Sequence, residues 1–454
     1  MELHQNGAAS AAAGPSGRVV AGAAQAGASP FAEVAPVPRS IEQTGLPAQL
    51  LRELLLKHML EATNATVREL GSRMALSGAV VGELVQLLRN EALLEVSTAR
   101  IADNELAFRL SDRGRLEARD AQMKSGYVGP APVPLDDFVR VGARYSLLNH
   151  KITKQRVDAL FADMVLDASL KDILGVALNT HRAMFVYGPA GTGKTYTISK
   201  LVELYGDACL VPHAIAVDTT VIRLFDPHLH RPLPESGSEL TIPRYSEGHD
   251  RRYVACRRPV VLVGGEMTLD QLEVSFEPET RIYQAPLQLK ATNGLFIIDD
   301  MGRQQVAPDA IFNRWIVPME TRKDFLVLNN GQHFEVPFEV QLIFSSNINP
   351  LDLADEAFLR RIGFKVRFDY VDGAAYDAIW RQELQKAGVE YRPEAIKYLI
   401  DKLHRKRDVP MAPCHPRDLL NAVLSRINYL DGEAELSESA LNWAWDSYFV
   451  RLDQ

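Results

Sequence analysis

Gly188-Pro189-Ala190-Gly191-Thr192-Gly193-Lys194-Thr195 follows the apolar run Met184 to Tyr187 and precedes Tyr196 to Leu204, a segment compatible with a helix. A strand, a glycine-rich turn closing on Lys-Thr, and a helix together make a phosphate-binding loop. That context separates the motif from a chance Gly-rich turn. Glycines are required because the backbone must turn tightly and approach phosphate oxygens without interference from a Cβ. Successive backbone N–H groups and the helix amino terminus then solvate negative charge. Lys194 neutralises the terminal phosphates and Thr195 offers a hydroxyl to a divalent cation.

Four further segments follow in the chain. Gly294-Leu295-Phe296-Ile297-Ile298-Asp299-Asp300 is an apolar strand ending in two carboxylates. A buried parallel strand delivers such residues to the carboxyl edge of its sheet, where open α/β sheets bind their ligands. Val340-Gln341-Leu342-Ile343-Phe344-Ser345-Ser346-Asn347 is another apolar strand closing on a polar residue, with an Asn at a turn before Pro350 as the lesser alternative to a site role. Asp355-Glu356-Ala357-Phe358-Leu359-Arg360-Arg361-Ile362 sets two arginines just ahead of the alternating strand Phe364 to Phe368. A solvated basic helix end is the lesser alternative there. Near the carboxyl terminus, His415-Pro416-Arg417-Asp418-Leu419-Leu420 places Pro in the first turn of a helix and Arg417 just after it.

In this order the segments resemble the AAA+ ATPases over residues 150 to 450. The resemblance implies an α/β P-loop NTPase with a parallel sheet as the AAA+ core, over residues 151–372, and a helical lid over 373–454. It implies ATP as substrate and Mg²⁺ as cofactor. Gly188, Pro189, Ala190, Gly191, Thr192, Gly193, Lys194 and Thr195 would hold the nucleotide together with Asp299, and Thr195 and Asp299 would serve the metal. The acidic strand looks like a Walker B motif in which Asp300 polarises the attacking water. It departs from the commoner pattern, because Glu usually occupies that second position and Asp is one methylene shorter. Asn347 resembles sensor 1, lying between the two other key strands. Arg361 aligns best with the arginine that reaches the ATP of a neighbouring subunit, with Arg360 as its runner-up or partner, and a guanidinium there counters charge on the transferring phosphoryl group. Arg417 resembles sensor 2 on the lid.

Phe325 to Leu328, Asn329-Asn330-Gly331 and Phe334 to Phe338 read as a β-hairpin with an Asn-Gly turn. Such an insertion is similar to that of the pre-sensor-1 clade, which includes the MoxR-like ATPases, and the chain resembles a bacterial MoxR-like group, although an amino-terminal winged helix is not typical of MoxR itself. The implied partners are copies of the chain itself, in a ring such as a hexamer, and a protein that the ring remodels. A DNA-associated or transcription-related ATPase and a slow nucleotide-gated scaffold are the alternatives.

The remaining sequence bounds these readings. At 454 residues with 46% hydrophobic content the chain can bury a large core, and a net charge of -8 argues against broad attraction to nucleic acid. Three cysteines, Cys209, Cys256 and Cys414, are odd in number and far apart in sequence, so neither a disulfide framework nor a zinc pairing is expected. The chain opens Met1-Glu2-Leu3-His4 without a basic segment leading into an apolar run, and no stretch approaches the ~20 apolar residues of a membrane span. A cytoplasmic protein is the expectation.

Residues 1–45, rich in Ala, Gly, Ser and Pro, read as a disordered tail. Residues 46–120 read as three helices and a hairpin, a winged-helix-like α+β domain, with a capping box at Thr66 and Glu69. Its third helix, Ser77 to Asn90, carries only Arg89 as a basic residue, so DNA is not the favoured partner. Residues 121–150, with their Pro/Gly-rich stretch, read as a linker. Asp226-Pro227-His228-Leu229-His230 reads as a loop rather than a metal site. Arg251-Arg252 and Arg257-Arg258 read as a solvated or inter-subunit charge face, and Phe276 to Tyr283 as a surface turn in preference to a pore loop.

Overall fold

The computed structural model describes residues 31–97, 105–206, 208–234, 248–430 and 436–449. Its centre is a five-stranded sheet in the spatial order Val260–Val263, Leu295–Ile298, Gln341–Ser346, Met184–Tyr187, Phe364–Arg367. Every neighbouring pair in it is parallel. The two strands Leu295–Ile298 and Gln341–Ser346 are buried along their whole length, as continuous apolar runs covered on both faces must be. Strand periodicity divides their side chains. Phe185, Phe296, Ile298 and Phe344 pack with Trp315 and Phe358 on one face, while Met184, Val186, Leu295, Ile297 and Ile343 pack with Val157, Leu174 and Ile198 on the other. Helices on both faces of a parallel sheet, with a phosphate-loop motif after one strand, make this an α/β P-loop NTPase fold.

The stretch between the loop helix and the acidic strand is not built only of units of the parallel sheet expected over 151–372. Four of its strands, joined by Val133–Pro134 from ahead of the loop, build a second, mixed sheet in the order Ser275–Glu277, Ile282–Gln284, Thr220–Arg223, Ala214–Val217, Val133–Pro134. The tight turn at Asp218, with φ +52°, joins Val217 to Thr220 and leaves no length for a crossover helix. Phe276 and Tyr283 face each other across an antiparallel pair, their ring centroids 4.8 Å apart, with Arg281 in the turn at φ +55°.

Two boundaries differ from the sequence reading. The tail expected over 1–45 is placed from residue 31 onward. Phe31, Ala35 and Ile41 are buried, and the Asp250 N–H donates to the Ala35 carbonyl at 2.8 Å. Nor are residues 121–150 a linker. The helix Asp112–Lys124 enters the stretch, Val133–Pro134 pairs with Ile215 and Ala216, and Leu135–Arg144 is a helix that buries Phe138 and Val141. Gly126 is held against the turn at Thr280, where a Cβ would lie 1.7 Å from the carbonyl oxygen.

Ahead of these lie the helices Ala48–Glu61, Val67–Met74 and Gly78–Asn90 and a three-stranded antiparallel sheet centred on Ala107–Leu110. Thr66 and Glu69 form a capping box. The core of this unit runs on into Ala214, Ala216 and Val221 of the second sheet. The hairpin Lys323–Val327 with His333–Pro337 buries Leu326, Phe334 and Val336 in the cluster beneath the second sheet. The helices Gly373–Ala387, Pro393–Tyr398, His415–Tyr429 and Glu438–Tyr448 share a core of their own around Tyr376, Trp380, Leu419 and Trp445. Among the described residues no helix is long and apolar enough to cross a membrane.

Candidate functional site

Three strands of the central sheet end at one edge, and each hands on a polar residue. After Met184–Tyr187 the chain turns through Gly188, Gly191 and Gly193, with φ of 137°, 77° and 81°. A Cβ on Gly188 would lie 1.9 Å from the Phe368 carbonyl oxygen, so the loop is pressed against the neighbouring strand's end. Thr192 Oγ1 donates to the Pro189 carbonyl at 2.9 Å and steadies the turn from within.

The buried Lys194 ammonium gathers the site. It donates to the carbonyls of Gly188 at 2.9 Å and Pro189 at 2.8 Å, and to Asn347 Oδ1 at 2.7 Å. Burial holds its pKa below the ordinary lysine value, against the raising pull of Asp299 and Asp300. Asn347 turns its other end to Asp300, Nδ2 to Oδ1 at 3.0 Å. Thr195 Oγ1 donates to Asp299 Oδ2 at 2.6 Å. Lys194, Thr195, Asp299, Asp300 and Asn347 are therefore brought together, through contacts spanning more than a hundred and fifty residues of sequence.

Asp300 is a non-glycine residue at φ +49°, a conformation that costs free energy and needs support. Its N–H donates to Asp299 Oδ1 at 3.0 Å, and the Met301 N–H and carbonyl are both bonded to the strand bearing Asn347, through Ser345 O and Ser346 Oγ. Gln304 Nε2 fastens the Asp299 carbonyl at 2.9 Å. The sequence reading did not single out Gln304, and a side chain two residues past a tight turn leaves no periodic signal.

The Thr195 hydroxyl and the Asp299 carboxylate lie side by side, 2.6 Å apart. Such a donor set fits Mg²⁺, which is commonly bound through one or two protein oxygens plus water and phosphate. Among the described residues no group of three or more His, Cys, Asp or Glu side chains is arranged to hold a metal ion. His230 lies in the Asp226–His230 turn fully buried, with Nδ1 accepting from the Asp226 N–H and Nε2 beside the Lys290 carbonyl.

The helical region meets the loop at Cys414, which the sequence reading counted among the cysteines and gave no place at the site. The Cys414 N–H donates to the Gly191 carbonyl at 3.1 Å, and a Cβ on Gly191 would lie 2.6 Å from Cys414 Sγ. Arg417, one turn further on, gives its guanidinium to Asp418 at 3.2 Å and is largely exposed. Among the described residues its guanidinium makes no hydrogen bond to the loop.

Arg360 and Arg361 lie at the opposite edge. The strand Phe364–Arg367 runs parallel to Met184–Tyr187 with Phe364 opposite Met184, so residues just before Phe364 sit at the amino ends of the strands. At ~3.3 Å per residue, the strand alone separates them from the loop by roughly 13 Å, more than an arginine side chain spans.

Residues 372–447 match a family model described as a domain of unknown function (DUF8689). No curated protein matches the chain. Among solved structures, the chain is similar to the Thermotoga maritima RuvB Holliday junction branch migration motor, at 12% identity over 62% of this chain and 69% of that one, with a TM-score of 0.34. It is similar to NtrX from Brucella abortus at 13% identity over 65% and 71%, with a TM-score of 0.32. Domain III of the Thermotoga maritima replication initiation protein DnaA is similar at 13% identity over 64% of this chain and 97% of its own, with a TM-score of 0.35.

Proposed function

We propose that the chain is an oligomeric AAA+ ATPase that binds ATP at Gly188–Thr195, hydrolyses it, and uses the cycle to remodel a protein partner. The observation that carries this reading is the convergence of Lys194, Thr195, Asp299, Asp300 and Asn347 on one sheet edge. In this reading Lys194 and the loop amides hold the phosphates, Asp300 polarises the attacking water, and Asn347 orients Asp300 against that water. Mg²⁺ held by Thr195 and Asp299 supplies charge that offsets the phosphate oxygens. Arg417 couples the helical lid to the nucleotide. The hairpin between the acidic and sensor strands supports a place among the MoxR-like members.

The opposite-edge position of Arg360 and Arg361 supports assembly, because neither can serve its own loop. Arginines there act on the ATP of the next copy in a ring. The test of the chemistry is Asp300→Asn, which should keep ATP affinity while lowering turnover by about 10²–10⁴ if this carboxylate handles the water's proton. Unchanged turnover would remove Asp300 from that role. A slow nucleotide-gated scaffold is the second reading, favoured by one observation: the short Asp300 carboxylate is already engaged by Asn347.

Duplex DNA is not the partner in this reading. In a winged-helix-like unit the third helix enters the major groove by its amino-terminal residues. Here the amino-terminal turns of Gly78–Asn90 offer no basic side chain, and two of their polar groups are already engaged: Ser77 Oγ donates to the Pro38 carbonyl at 2.8 Å, and Glu83 accepts from the Ile41 N–H at 3.1 Å. Arg89 lies over the Phe108 ring. The full chain should therefore bind duplex at about micromolar Kd or weaker at physiological salt. Nanomolar, sequence-selective retardation of duplex would instead promote a DNA-associated ATPase.

A further inference from the structure

Arg360 and Arg361 are adjacent in sequence yet differ in what they already hold. Arg361 Nε donates to Glu320 Oε1 at 2.6 Å and its Nη1 to the Ala357 carbonyl at 2.7 Å, so this half-buried guanidinium is bound at two points within its own subunit. Arg360 is exposed, and among the described residues its side chain has no hydrogen-bond or ion-pair partner. The backbone of both is gripped from the approach to Met184–Tyr187, where Arg182 Nη2 donates to the Arg361 carbonyl at 3.2 Å and lies 3.5 Å from the Arg360 carbonyl. The stem of Arg182 is pressed on Gly363, where a Cβ would come within 2.7 Å of the arginine's own Cβ. These groups border a cavity of about 480 Å³ at the amino edge of the central sheet, lined by His181, Arg182, Glu320, Arg322, Arg360 and Arg361.

We infer that Arg360 is the arginine that touches the transferring phosphoryl group of the neighbouring subunit, and that Arg361, Glu320 and Arg182 are positioning residues that aim it. The inference rests on the assembled-ATPase reading above. A guanidinium paired with a carboxylate exerts little net field on a further anion, and it would have to exchange two bonds before it could contact phosphate. An unpaired one keeps its full charge and its planar fork for the oxygens of the phosphoryl group. Positional accuracy is the other requirement, since small displacements at a reacting centre are costly. A side chain clamped by Glu320 and Ala357, with Arg182 on the adjoining carbonyls, fixes the backbone direction from which Arg360 departs.

The experiment uses full-length Arg360→Ala, Arg360→Lys, Arg361→Ala, Arg361→Lys and Glu320→Gln, with turnover at saturating ATP, calorimetric ATP affinity, and mixing with Lys194→Ala. Arg360→Ala and Arg360→Lys should each lose about 10³ in turnover with affinity little changed, because a point charge does not replace the fork. Arg361→Ala and Glu320→Gln should lose roughly tenfold, the cost of looser aim. Arg361→Lys, which can still pair with Glu320, should recover most of that loss. Arg360→Ala mixed with Lys194→Ala should regain activity, since some interfaces then join a sound site to a good arginine.

If Arg361→Ala instead shows the severe loss, is not rescued by Lys, and complements Lys194→Ala while Arg360→Ala stays near normal, the division of roles is overturned and the ring reading stands. If no mixture regains activity and neither arginine matters to turnover, the ring reading itself fails.

Discussion

Lys194→Ala is expected to abolish measurable ATP binding while leaving the fold intact. The ammonium stands at the convergence of the loop, the acidic strand and the strand that ends at Asn347, bonded to Gly188, Pro189 and Asn347 and flanked by Asp299 and Asp300. Without it, two carboxylates would face the phosphates with no counter-charge between them. Each charge-assisted hydrogen bond to phosphate contributes about 1.5–3 kcal/mol, so losing two of them lowers affinity by roughly 10²–10⁴ at ~1.4 kcal/mol per decade. The partners Lys194 leaves behind are loop carbonyls and an amide at the sheet's edge, and thermal unfolding should move little. Calorimetric titration with ATP, alongside a melting curve, separates the two effects. Retained affinity in a folded variant would remove the phosphate-loop assignment and with it the proposed activity.

How much of this was legible in the sequence follows from how local each feature is. The phosphate loop, the acidic strand and the strand ending at Asn347 are each encoded in one short run: apolar residues that demand a buried strand, closed by the polar group that the strand presents. Their order in the sheet was not encoded that way, yet any parallel sheet brings the carboxyl ends to one edge, so their meeting was inferable. The docking of residues 31–45 was not. It rests on a few side chains such as Phe31 and Ile41 and on single backbone bonds, which give no periodicity. The Pro/Gly-rich stretch near Gly126 has a linker's composition because close approach to the Thr280 carbonyl demands a residue without Cβ, a requirement imposed by a turn far away in sequence.

The same limit governs the cysteines and the arginine pairs. Cys209 and Cys256 stand directly opposite in an antiparallel ladder, both buried as free thiols, with burial pushing their pKa up to about 11 and about 12. Spacing along the chain carries no trace of that pairing. Among the arginines, Arg251 is exposed while Arg252 and Arg258 are buried, so the expected solvated or inter-subunit charge face is half interior. Two adjacent arginines look alike in sequence; what distinguishes them is the partner each meets after folding.

Arg252 carries the largest expected effect on stability. Its guanidinium lies over the Asp250 carboxylate, Nε to Oδ2 at 2.9 Å and Nη2 to Oδ2 at 2.8 Å, and its Nη1 donates to the carbonyls of Thr44 at 2.9 Å and Pro132 at 3.1 Å. Both side chains are almost wholly buried. One residue thereby ties the segment 31–45, the approach to Val133–Pro134 and the strand Tyr253–Cys256 into a single block. Arg252→Met should strand Asp250 as an unpaired buried charge and orphan two carbonyls, costing about 3–5 kcal/mol. For a block of this size that is a drop of roughly 6–20 °C in unfolding midpoint. Limited proteolysis should then cut within residues 31–45, whereas ATP affinity at the distant loop should be retained. Arg252→Met with Asp250→Leu should win back much of the loss, because removing both charges removes the uncompensated one. A midpoint unchanged in the single variant would mean that the pair is hydrated and that the three segments are held together by other contacts.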